Sequence, residues 1–79
     1  MNELPLLPKR RSLEKLLLQL EFKKIGQLKN HALYKHEDGR LTTLPGYRGK
    51  KLAFTLLRLI LKEINIDATQ YNELIKTWE

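Results

Sequence analysis

The chain lacks cysteine entirely, which excludes a disulfide framework and any thiolate metal site and fits a reducing, cytoplasmic setting. It lacks a long apolar run. Leu16-Leu17-Leu18 and Leu59-Ile60-Leu61 are among the longest, against the ~20 residues a bilayer span needs, so no membrane role is expected. The order of a secretory signal is missing too, because the opening MNELPLLPKRR places its apolar residues before its charges. No carboxylate cluster exists to hold a metal, and no other cofactor is expected. At 79 residues the chain is one domain with a small core; a chain of this size buries only ~60–65% of its unfolded surface.

What is present is basic charge in one place. Residues 23–51 hold eight basic side chains and two acidic ones, Glu37 and Asp38, while the rest of the chain balances seven against seven. The whole net charge of +6 therefore belongs to the middle segment. Such an excess suits a polyanion, and phosphate is what Lys and Arg bind most readily. A merely soluble surface would use the same residues.

Residues 1–11, with Pro5 and Pro8, read as a flexible N-terminal arm; residues 12–79 read as a single folded domain. Ser12 suits a helix N-cap, and Leu13, Leu16, Leu17 and Leu20 follow at helical spacing, so a first helix is expected over about 13–20. Residues 22–28 read as a strand in which Gly26 marks a bulge or a close approach. Residues 31–36 and 40–44 read as a hairpin closed by Asp38-Gly39, with both turn residues at positive φ. Pro45 ends the return strand. A second helix is expected from about Lys50 to Ile64, with Asn65 as its stop. Asp67 then caps a short last helix carrying Tyr71, Leu74, Ile75 and Trp78 on one face. The order α-β-β-β-α-α predicts an α+β fold: a three-stranded antiparallel sheet with helices on one face, as in double-stranded-RNA-binding domains.

The middle segment resembles the HicA family of small toxins. The family pattern carries a phenylalanine, then Gly-Ser-His-His, an apolar residue and often Tyr-Lys-His. An Asp-Gly turn follows, then a Thr-Val-Pro strand end and a Leu-x-x-Ile-Leu helix. Here Phe22 is followed by K29-N30-H31-A32-L33-Y34-K35-H36, then D38-G39, T43-L44-P45 and T55-L56-L57-R58-L59-I60-L61-K62. Lys29 stands for the family's glycine, Asn30 for its serine and Ala32 for its second histidine; Tyr47 sits where many members have a histidine. The resemblance implies a metal-independent ribonuclease that cuts mRNA, silenced by a HicB-like antitoxin, with His31 as the catalytic histidine.

The residue types fit that chemistry. RNA cleavage without a metal needs a base for the 2′-hydroxyl, an acid for the leaving 5′-oxygen, and cations for the charged phosphorane. His31 is the expected acid or base. Lys29, Asn30, Lys35, Arg48, Lys50 and Lys51 are expected RNA contacts, Lys50 and Lys51 as a phosphate site at the start of the second helix. Strand parity pairs His31 with Leu33 and sets Tyr34 and His36 on the other face. If Leu33 lies beneath the helices, His31 begins the strand on that same side unless twist at the strand end turns it out, and Tyr34 and His36 become secondary contacts on the open face, with Tyr47 as a stacking residue in the loop. Two other functions share the fold: an RNA-binding module that has lost cleavage, and a protein-interaction domain without RNA affinity.

Overall fold

A computed structural model describes residues 3–46 and 51–79. Three helices and three strands follow one another as expected: α1 (Arg10–Gln19), β1 (Lys23–Leu28), β2 (His31–Lys35), β3 (Leu41–Pro45), α2 (Phe54–Ile64) and α3 (Ala68–Ile75). The sheet is antiparallel with strand order β1-β2-β3, and the helices cover one of its faces. The fold is thus the α+β arrangement read from the sequence.

The core sits between the sheet and the helices. Leu13, Leu16 and Leu17 of α1, Leu57, Ile60, Leu61 and Ile64 of α2, and Tyr71 and Ile75 of α3 close over Ala32, Tyr34 and Leu44 of the strands. Each large apolar side chain buried this way stabilises the fold by ~1.5–3 kcal/mol relative to exposure. Leu52 joins the core from the extended segment before α2, and no buried side-chain polar atom is left unpaired among the described residues.

Several local expectations are corrected. Ser12 is not a cap: α1 begins three residues earlier than expected, at Arg10 after Lys9, and Ser12 is buried with its hydroxyl donating to the Trp78 carbonyl. The second helix starts at Phe54, because Leu52 N–H donates to the Pro8 carbonyl and Lys51 pairs with Lys9 in a β-bridge. Residues 3–9, expected as a loose arm, are tied by their backbone to α3. Leu6 N–H donates to Asn72 Oδ1, Tyr71 Oη donates to the Leu6 carbonyl, and Asn72 Nδ2 donates to the Leu4 carbonyl. The hairpin loop has three residues, 37–39: Gly39 N–H donates to His36 and only Gly39 has positive φ. That is a turn followed by one left-handed glycine, so Asp38 needs no strained backbone.

Other expectations stand. Asn65 takes the left-handed conformation at the end of α2 (φ 61°, ψ 48°), with Ile66 N–H returning to the Leu61 carbonyl. Asp67 caps α3 by accepting from Gln70 N–H at 2.8 Å. The register of β1 slips between Lys24 and Gly26, the bulge that Gly26 signalled.

Candidate functional site

The strands carry no acidic residue on either face. The face turned away from the helices is set by register. His31 pairs with Leu28 and Pro45, Leu33 with Gly26 and Thr43, and Lys35 with Lys23 and Leu41. These three rows share one side of the sheet because directly paired residues point the same way. His31 is exposed at one end of this face, and Lys35 is exposed at the other.

The alternation is as expected, but the covered face is the one that carries Tyr34 and not the one that carries Leu33. Tyr34 is 1% exposed and lies under the helices, so it is no contact on the open face. Its Oη donates to Glu14 Oε2 at 2.7 Å, and burial, with that bond second, pushes the phenol up to about 12. The physical reason is that small Ala32 and hydroxyl-satisfied Tyr34 fit beneath α1, whereas Leu33 fits over Gly26, which has no side chain. His36 lies at the rim on the same side as Tyr34, its ring edge-on to Phe22 at 5.2 Å and its Nδ1 accepting from Asp38 N–H. It too is turned away from the open face.

The turn that presents His31 has two residues, the commonest hairpin length. Lys29 and Asn30 alone connect β1 to β2, and Lys29 has φ 56°. That left-handed conformation suits glycine and strains a lysine. Behind the turn, a Cβ added to Gly46 would overlap the Asn30 carbonyl, so the end of β3 and the turn are in intimate contact. Pro45 is held from below by Arg10, whose Nε donates to its carbonyl at 2.6 Å and whose Nη1 reaches Glu14 at 3.4 Å. Arg10, Glu14 and Tyr34 thereby form one polar string from α1 to β2 at Tyr34 and to β3 at Pro45, the residue paired with His31. Sequence reasoning missed this string; the one signal for it was the i,i+4 spacing of Arg10 and Glu14.

The cations expected to gather on one surface divide. Lys23 and Lys35 stand opposite each other on the open face, a like-charge pair that costs stability and suits an anion. Lys35 is four residues from His31, ~13 Å along the strand, too far to act on the same phosphate. Lys24 lies on the other side of β1 and donates to Gln27 at 3.2 Å. Arg40 is spent internally: it pairs with Asp38 at 2.8 Å, donates to the Ile64 carbonyl at the end of α2, and covers the Phe22 ring at 5.1 Å. Asp38 is held below the usual carboxylate range by the Arg40 backbone N–H, with the Arg40 charge adding to it. Lys51 is exposed beside Lys9 and is not at a helix start, since α2 begins three residues later. Tyr47, Arg48 and Lys50 lie outside the described residues. Among the described residues no group of His, Asp or Glu side chains has the arrangement of a metal site, and no helix is long and apolar enough to cross a membrane.

Residues 10–66 match the family model described as HicA toxin of bacterial toxin-antitoxin. No curated protein matches the chain.

Proposed function

Because the chain belongs to the HicA toxin family of bacterial toxin-antitoxin systems, we propose that it is a metal-independent RNA endonuclease acting on mRNA in the cytoplasm, held silent by a HicB-like antitoxin. The observation that carries this reading is the exposed imidazole of His31 at the end of an acid-free sheet face, two residues from the Lys29 ammonium.

One imidazole suffices for a balanced reaction. His31 takes the proton from the 2′-hydroxyl as that oxygen attacks phosphorus. The resulting imidazolium returns the proton to the departing 5′-oxygen, leaving a 2′,3′-cyclic phosphate and a 5′-hydroxyl. Lys29 stabilises the charge on the phosphorane, Asn30 lies in the same turn, and Lys35 and Lys23 bind phosphates farther along the strand. The loss of the family's second histidine fits this scheme, because Ala32 points beneath the sheet, away from His31. Arg48, Lys50 and Lys51 are proposed phosphate contacts on the segment after β3.

The test is cleavage of a defined mRNA by the purified chain in EDTA, with growth arrest on expression in a bacterium as the cellular readout. His31→Ala should abolish both while leaving the fold intact, since the side chain is exposed. Cleavage that survives His31→Ala, or that EDTA stops, would refute the mechanism. Salt-dependent RNA affinity without cleavage would leave an RNA-binding module.

A further inference from the structure

The helix layer covers β3 and the inner face of β2 but leaves β1 bare. Every β1 residue except Gly26 is exposed, on both faces. β1 is also the terminal strand, and among the described residues no backbone group pairs with its outer edge. A row of unanswered N–H and C=O groups is a template for another strand. Beside that row, Ile25 and Leu28 are 56% and 65% exposed, an apolar content that a solvent edge does not need.

Two features decide which strand fits. From Phe22 to Asn30 the chain carries Lys23, Lys24 and Lys29 and no acid. A second copy of this chain would bring six such ammonium groups together with no carboxylate between them, and like charges across strands repel. The bulge between Lys24 and Gly26 twists the edge and disfavours flat, regular pairing. The charge rejects a copy of the chain while leaving the edge open to a segment of opposite charge, and the bulge limits that segment to a short stretch. RNA answers the lysines but offers no row of N–H donors to the strand carbonyls and no apolar side chains to Ile25 and Leu28.

We propose that the outer edge of β1 is an interaction surface that takes an extended segment of a partner protein by strand addition, with carboxylates against Lys23 and Lys24 and apolar side chains against Ile25 and Leu28. It rests on the toxin reading only in that a toxin has a protein partner, and not on RNA cleavage.

The experiment is amide NMR of the full chain titrated with a short synthetic peptide that carries Val residues towards one end and two adjacent Glu residues at the other, since Lys23 and Lys24 point to opposite faces of the strand. Its twin is N-methylated at every second residue, which keeps charge and side chains but removes the donors of one edge. The unmethylated peptide should slow exchange of the amides of residues 23–28, and the twin should not. The double variant K23E/K24E should weaken binding about tenfold, whereas His31→Ala should leave it unchanged. Binding by neither peptide, equal binding by both, or perturbation confined to residues outside β1 would overturn the proposal. So would concentration-dependent dimers of the free chain, or an RNA oligonucleotide that protects the same amides where the peptide does not. If His31→Ala cleaves RNA but the peptide still pairs, the nuclease mechanism falls and the strand edge stands.

Discussion

Removing one oxygen atom, in Tyr34→Phe, separates a core tyrosine from one that reads RNA. The phenol donates at 2.7 Å to Glu14, and the ring is 1% exposed. A hydrogen bond to a charged acceptor contributes ~1.5–3 kcal/mol. The Glu14 side chain is 35% exposed, so water can replace the lost donor and the cost falls at the low end, ~1.5 kcal/mol. Unfolding entropy of ~2.1 cal/mol/K per residue gives ~170 cal/mol/K for the whole chain, and the same loss lowers Tm by ~9 °C. Thermal unfolding followed by circular dichroism reads this directly. The alkaline limb gives a second readout. Burial and the Glu14 bond raise the phenol to about 12 from its ordinary 10. Above pH 10 the unfolded chain loses this proton while the native state keeps it. The tyrosine's contribution is therefore complete below pH 10 and is lost as pH rises towards 12. Tyr34→Phe should flatten that limb in part, Tyr71 being raised by burial in the same direction. An unchanged Tm combined with lost RNA affinity would mean that the ring works on the open face, and the assignment of faces would be wrong.

Lys29→Asn should raise stability by ~0.5–1 kcal/mol in urea unfolding, since Asn tolerates the left-handed conformation better than Lys; it should also lower the salt slope of RNA binding by about one unit. Gly46→Ala drives a Cβ into the Asn30 carbonyl. It should cost ~1–3 kcal/mol and shift the amide signals of residues 29–31, and a neutral result would deny the contact. Asp38 is held below its ordinary pKa by Arg40, so its contribution is present above that ordinary value and is lost as pH falls through the depressed one. Asp38→Asn should flatten the acid limb of a pH–stability curve.

Period and punctuation made the element order legible. Leu13, Leu16 and Leu17 are buried where helical spacing put them, as are Leu57, Ile60, Leu61 and Ile64. Gly26, Asn65 and Asp67 carried their local meaning because a bulge, a left-handed stop and a cap are decided within a few residues. Ser12 misled for the opposite reason: a serine caps a helix only when the chain enters there. Here the pairing of residues 8–9 with 51–52 starts the helix earlier. Helix boundaries that depend on contacts between distant segments are not written in local sequence.

The candidate site divides along the same line. Alternation in 31–36 fixes that His31 and Leu33 share a face and that Tyr34 takes the other, because side chains in a strand alternate without exception short of a bulge. It does not fix which face meets the helices. That choice came from packing: Glu14 supplies a partner for the buried phenol, and Gly26 leaves room over which Leu33 can lie. Charge shows the same split. Composition alone put the whole positive excess into residues 23–51, but only the folded chain sends Lys35 and Lys23 to the open face, Lys24 to the reverse side of β1 and Arg40 onto the end of α2. The sequence determined the elements, their order and the presence of a histidine beside a lysine in a tight turn, because those depend on near neighbours. The tertiary structure decided that this histidine faces solvent on an acid-free sheet, because that depends on which side of the sheet the helices can fill.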